Sequence, residues 1–342
     1  LVNTYDKNIN KIFFYWLISS LILVFLIIIV GGLTRLTESG LSITEWELFK
    51  GIFPPTNLST WNFYFDQYKK IPQYKELNNQ MSLDEFKVIF YWEYFHRLLA
   101  RIIGLFFLIP LIFFHFSNKI NKNYLSICYL IFFLILLQGI VGWFMVVSGL
   151  VNDITVSHYR LSIHLILAFT IISIIFWLIK NINENNNKVF FSFKNYNIPY
   201  LILIFMIFLQ IVLGAFVSGL DAGKIYQTWP LMGQSYFPND IFIKNVTTIV
   251  EFSNHSLVQF YHRNLAYIIT AYILIFSFFI FMKNKKNLFY PLKLLITVLL
   301  LQIILGILTL ISGLNIYLAS AHQISSVILV FTAINLYYFA AK

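Results

Sequence analysis

The sequence predicts an all-α integral membrane protein: eight transmembrane helices forming two tandem four-helix bundles related by a pseudo-two-fold axis. Three observations lead there. Of 342 residues, 59% are hydrophobic and only 11% charged, with a mean hydropathy of +0.76, whereas a soluble domain carries about 25% charged residues. Eight apolar stretches reach the roughly 20 residues that cross a bilayer. And the pattern His-Arg-x-Leu-Ala-x-Ile-Ile occurs twice, starting at His96 and at His262, an offset of 262 − 96 = 166 residues.

The spans are expected at 11–32, 88–115, 124–147, 159–181, 198–219, 257–282, 289–311 and 317–340. The first is read as a spanning helix, not a cleaved signal, because it lacks a small-residue cleavage site and runs straight into a polar motif. Two connections are long, 33–87 and 220–256. The first contains Pro54-Pro55, Trp61, Phe63, Tyr64 and Phe65 and reads as a partly helical lid on the outer face; 184–197 is a plain inner linker. The chain thus divides into an N-terminal half (1–183), the linker (184–197) and a C-terminal half (198–342). Lysines in the short connections set the orientation. Lys7 and Lys11, Lys119 and Lys122, Lys180, Lys188 and Lys194, Lys283, Lys285 and Lys286, and Lys342 all fall on one side, so both termini are expected to be cytoplasmic. The net charge of +10 is therefore a topology signal and an attraction to anionic membrane lipid, and no nucleic-acid partner is expected. The one cysteine, Cys128, excludes an internal disulfide and reads as a small buried apolar residue.

The repeat runs well beyond its first motif. Gly31-Gly32 through Gly40 to Thr44-Glu45-Trp46 matches Gly214 through Gly223 to Gln227-Thr228-Trp229 at an offset of 183, and Gln138-x3-Gly142-x5-Ser148-Gly149-Leu150 matches Gln302-x3-Gly306-x5-Ser312-Gly313-Leu314 at 164. An even number of helices per unit gives both units one orientation, hence an axis along the membrane normal. The glycines read as close-packing positions.

Ionisable groups inside a membrane are costly and mark function. Four of the seven histidines stand in repeat register: His96 and His262 near the starts of the second and sixth helices, His164 and His322 near the starts of the fourth and eighth. They are expected at similar depth, as histidine pairs suited to axial ligation of haem iron. Histidines 115, 158 and 255 read as interfacial or solvated. Arg97 and Arg263 adjoin the repeated histidines, and a guanidinium fork there suits the carboxylates of haem propionates. Glu93, three residues before His96, shares a helical face with it; it is read as a carboxylate that stabilises positive charge on a substrate or moves a proton, the alternative being an orienting partner of the histidine. Gln259 stands at its place in the second half. This asymmetry favours chemistry in the first half and a supporting cofactor in the second.

With these residues assembled, the chain resembles the haem A synthase family in its alphaproteobacterial and mitochondrial form. The matching stretches are residues 31–42, Thr44-Glu45-Trp46, Glu93-x-x-His96-Arg97, Ser157-His158-Tyr159-Arg160-Leu161 with His164, Gly219-Leu220-Asp221-Ala222-Gly223 with Trp229-Pro230, His262-Arg263 and His322-Gln323. They cover nearly the whole chain in family order. Some family members carry a cysteine pair in an outer loop; this chain does not. The resemblance implies conversion of haem O to haem A, in which a porphyrin methyl group becomes a formyl group by way of an alcohol and a hydrated aldehyde. It implies that His96 and His164, with Arg97, face the substrate haem and its iron, that His262 and His322, with Arg263, hold the iron of a haem b cofactor, and that Glu93 is the catalytic acid. It also implies haem O synthase as supplier, the terminal oxidase assembly as receiver, and the bacterial inner membrane as location; a homo-oligomer is compatible with it. The rivals are a non-catalytic dihaem b-type electron carrier and a transporter built from parallel repeats. The first usually places two ligands on one helix and the second needs polar groups near the midplane; neither pattern is present.

Overall fold

Uninterrupted apolar sequence leaves the backbone no partner but itself, so the chain folds into helices. The computed structural model describes residues 7–46, 50–150, 154–242 and 245–341. Lys342, counted above among the inner-side charges, lies outside them. Among the described residues eight helices are long and apolar enough to cross a membrane: α1 (Lys7–Leu36), α4 (Leu83–Ser117), α5 (Lys122–Gly149), α6 (His158–Asn183), α7 (Ile198–Gly219), α9 (His255–Met282), α10 (Phe289–Ile311) and α11 (Ile316–Ala340). Shorter helices α2 (Leu58–Tyr68), α3 (Pro72–Leu77) and α8 (Val246–Ile249) lie in the two long connections. No strand occurs among the described residues. The protein is a multi-pass membrane protein, and it divides into two compact units, Leu1–Ile179 and Lys180–Lys342.

In the first unit α1 packs along α4. Phe13 meets Phe114 edge-on at 5.0 Å between ring centroids, and Trp16 sits 4.7 Å from Phe107. A polar bond is built into this apolar seam. Pro110 lies inside α4 and has no N–H to give to the carbonyl of Phe106, four residues back. The indole Nε1–H of Trp16 donates to that carbonyl at 3.1 Å.

Helix α4 begins five residues before the apolar run expected at 88. Ser82 caps it: its hydroxyl accepts from the Glu85 N–H, and the Glu85 carboxylate accepts from the Ser82 N–H at 2.8 Å. Polar first turns hid this extension from a reading based on hydropathy. The extension carries the long first connection, which is partly helical as expected. Trp61, Phe65 and Tyr68 of α2 pack on Phe86 and Phe90 of α4. Burial pushes the Tyr68 hydroxyl up to about 12, despite the hydrogen bond it receives from Asn78.

In the second unit α7 packs on α9 and α11, and α10 pairs along α11 through a tight turn with Gly313 at φ 72° and Leu314 at φ 65°. Residues 188–190 tie the unit's two ends: Lys188 Nζ donates to the carbonyls of Tyr338 (2.9 Å) and Ala341 (2.5 Å), and the Tyr337 hydroxyl donates to the carbonyl of Phe190. In the second long connection Asp240 accepts from the hydroxyls of Tyr226 and Ser256, both at 2.7 Å. Burial raises its carboxyl, but these hydrogen bonds outweigh burial and hold it below its usual range. Cys128 is fully buried.

Trp16→Phe is expected to leave the Phe106 carbonyl unpaired in apolar surroundings, at about 1–3 kcal/mol, read as a lower unfolding midpoint of the solubilised protein. Adding Pro110→Ala returns an N–H to that carbonyl and should recover most of the loss. A double variant as unstable as the sum of the singles would refute the role given to Trp16.

Candidate functional site

Each of the four repeated histidines is seated against a glycine of a neighbouring helix. A Cβ added at Gly31 of α1 would lie 3.1 Å from His96 Nε2 on α4, and one at Gly142 of α5 would lie 3.0 Å from His164 Cε1 on α6. In the second unit the pairs are Gly214 of α7 with His262 of α9, at 3.2 Å, and Gly306 of α10 with His322 of α11, at 2.8 Å. The glycines are close-packing positions, as expected, and what they admit is an imidazole ring. Three of the histidines lie six or seven residues from the helix start, roughly 9–10 Å at 1.5 Å per residue. His96 is farther along its helix because α4 starts early.

The His96 and His164 rings have centroids 6.4 Å apart with planes at 64°. Two imidazoles on opposite sides of one ion, each at about 2 Å from it, set their centroids roughly 6 Å apart. The spacing fits a single iron between them. The His322 ring is oriented by a backbone group: its Nδ1 is 3.1 Å from the carbonyl of Gln302, the kind of bond that fixes the tautomer of a histidine.

Glutamines four residues before the glycines complete the setting. Gln138 Nε2 donates to the carbonyl of His164 at 3.0 Å. Gln210 Nε2 donates to the carbonyl of His262 at 2.9 Å and lies 3.1 Å from its Nδ1. Gln302 lies 3.5 Å from His322 Nε2, and the Ser325 hydroxyl donates to its side-chain oxygen. Gln210 stands outside the residues expected from sequence, although Gln-x3-Gly occurs at 138–142, 210–214 and 302–306; that spacing is the signal that marks it. In α1 the corresponding residue is Ile27.

The sequence paired Glu93 with His96 by face; the structure engages its carboxylate elsewhere. Glu93 is 2% exposed. Its Oε1 accepts from Arg97 Nε (3.0 Å) and Nη2 (2.5 Å), and its Oε2 accepts from the Ser42 hydroxyl (2.7 Å) and the Ile43 N–H (2.8 Å). Arg97 also donates to the carbonyls of Ile43 and Glu45 and lies over the Trp46 ring, 5.2 Å from its centroid. The second unit repeats the grip without the acid. Arg263 donates to the carbonyls of Tyr226 and Thr228, which correspond to Ile43 and Glu45 at offset 183, and Gln259 Nε2 donates to the Tyr226 carbonyl. Among the described residues Arg263 Nε and Gln259 Oε1 are buried without a partner. The buried guanidinium is therefore neutralised in the first unit and not in the second.

The other histidines stand apart from these pairs. His115 bonds to the Tyr129 hydroxyl at 2.5 Å, His158 is buried against the ring of Tyr159, and His255 is the exposed first residue of α9.

Gly306→Ala is expected to force a methyl against His322 and cost about 1–3 kcal/mol by overpacking, measured as a lower unfolding midpoint. Gly139→Ala, where an added Cβ meets nothing within 4 Å, should leave the midpoint unchanged or raise it. Equal effects at the two positions would remove the tight seat argued for His322.

Comparison with known proteins bears on what this arrangement serves. A Heme A synthase of Pelagibacter ubique is 52% identical over 329 residues, covering 94% of this chain and 95% of that protein. A Heme A synthase of Flavobacterium psychrophilum is 38% identical over 95% of this chain and 97% of its own length, and one of Rhizobium rhizogenes is 40% identical over 94% and 88%. Residues 14–334 match the sequence family described as cytochrome oxidase assembly protein. Nearly the full length is matched, from α1 through most of α11, and the chain belongs to this COX15-CtaA family of cytochrome oxidase assembly proteins.

Proposed function

We propose that this protein is a haem A synthase, which oxidises a porphyrin methyl group of haem O through the alcohol to the formyl group of haem A. The observation that carries the reading is the seating of four histidines, each ring against a glycine, with His96 and His164 facing each other at 6.4 Å, in a chain 52% identical to a Heme A synthase.

In this reading His96 and His164 hold the iron of the substrate haem in the N-terminal half, and His262 and His322 hold a haem b in the C-terminal half. A bound haem b supplies one-electron redox chemistry. The remaining roles fall to the chain's own groups. Arg263, with Nε unpartnered among the described residues, would offer that charged N–H to a cofactor propionate. Arg97 is already neutralised by Glu93 and serves first to fix the 42–46 segment over the site. Glu93 is a buried carboxylate in an ion pair, a fixed negative charge that favours positive charge developing at the substrate's methyl carbon. Haem O synthase supplies the substrate, and assembly of a terminal oxidase consumes the product. The protein works in the bacterial inner membrane with both termini in the cytoplasm.

Co-expression with a haem O synthase, followed by haem extraction and chromatography, tests the reaction: haem A should appear only when this chain is present. Glu93→Gln should fold and keep its haems, since the C-terminal half folds with Gln259 at that position, but should form no haem A; undiminished haem A would refute a catalytic Glu93. His262→Ala and His322→Ala should each lose haem B from the purified protein while retaining the capacity to bind haem O. An unchanged haem B content would remove both as ligands.

A further inference from the structure

A haem carries its two carboxylates on one edge, and a site inside an apolar bundle has to meet them with positive charge. In the C-terminal half that charge is Arg263, beside His262, with its Nε buried and unpartnered among the described residues. The N-terminal half has an arginine at the same place beside His96, but Arg97 is already committed. Its Nε is held by Glu93, its Nη1 by the carbonyl of Glu45, and its Nη2 by Glu93 and the carbonyl of Ile43. The substrate's carboxylates need a different cation.

Arg160 has the required properties. It lies in the first turn of α6, four residues before His164. The two therefore share a helical face, with the arginine about 6 Å nearer the helix start. Its guanidinium carbon stands over the ring of Phe144, 5.0 Å from the centroid. Phe144 belongs to α5, the helix whose Gly142 seats the His164 ring. Contact with an aromatic face holds a guanidinium in place and leaves its fork of N–H donors for a partner. Among the described residues Arg160 makes no hydrogen bond or ion pair, whereas Arg35 and Arg101, the other arginines of this half, are engaged within the chain. The C-terminal half has no counterpart: four residues before His322 stands Leu318. The two halves thus carry their uncommitted guanidinium on different helices, α9 in one and α6 in the other.

Resting on the function proposed above, we propose that Arg160 is the residue that recognises the substrate's carboxylate edge: braced on Phe144 one turn from His164, its guanidinium takes a porphyrin propionate as a charged, two-pronged donor. Arg160 is a substrate-binding residue, and Arg97 is not its equivalent.

The test is titration of the full-length, detergent-solubilised protein, purified with its haem B from cells that make no haem O. The two probes are haem O and haem O dimethyl ester, in which both carboxylates are capped. The unmodified protein should bind haem O about tenfold or more tightly than the ester. Arg160→Leu should bind haem O no more tightly than the ester, bind the ester as the unmodified protein does, and keep its haem B. Arg160→Lys, which keeps the charge without the fork, should fall between. Arg35→Leu and Arg101→Leu should retain the preference. A preference for haem O that survives Arg160→Leu would show that the guanidinium serves lipid phosphate or solvent and would overturn the inference. Equal weakening of both probes would make Arg160 a packing residue and overturn it as well. If haem O is converted but the preference ignores Arg160, this inference alone falls. If the preference depends on Arg160 yet haem O is never converted, the proposed function fails while the carboxylate site stands.

Discussion

Polar groups sunk in an apolar helix bundle must find partners within the protein, because lipid offers none. The rest of the structure follows from how this chain meets that constraint. Each repeated histidine is brought hard against the backbone of a neighbouring helix, which only glycine permits at 2.8–3.2 Å from an added Cβ. For three of the four, a glutamine one turn from the glycine bonds the histidine's ring or backbone. The same constraint explains Trp16, whose indole N–H takes the carbonyl that Pro110 leaves without a donor. Helix contacts here are chosen as much by the need to satisfy polar atoms as by packing.

The Glu93–Arg97 pair applies this logic to a charge. A guanidinium inside an apolar helix is expensive. In the N-terminal half it is offset by a carboxylate one turn away, and both groups also bind the backbone of residues 42–45. In the C-terminal half glutamine replaces the acid, the grip on the loop backbone persists, and Arg263 Nε has no partner among the described residues. One substitution between two otherwise parallel constellations thus changes the electrostatic character of a site while preserving its architecture.

Much of this was legible in the sequence. Hydropathy gives all eight spanning helices, and internal repetition singles out the four histidines and their glycines. What was not legible had physical causes. The start of α4 projects as a polar, capped extension that carries no hydropathy signal. The partners of Glu93 are Ser42 and Ile43, some fifty residues away, and no local periodicity connects them. Face-sharing at i,i+3 pointed to His96, but the charged fork of Arg97 at i+4 provides two hydrogen bonds as well as opposite charge, and it takes the carboxylate. Gln210 was readable from spacing alone, yet a glutamine among apolar residues draws little notice until its neighbour is known to be an imidazole.

The way the first long connection is fastened has a bearing on how such chains diversify. Residues 42–45 are anchored by Glu93 and Arg97, while α2 is held separately, by aromatic packing of Trp61, Phe65 and Tyr68 on the early turns of α4. Between these two attachments the Tyr94 hydroxyl of α4 donates to the carbonyl of Ile52 at 2.7 Å, a third fastening to the same helix. An insertion in this connection has to preserve every one of these fastenings to α4, the helix that also carries His96, so the outer surface and the histidine seat share one supporting beam.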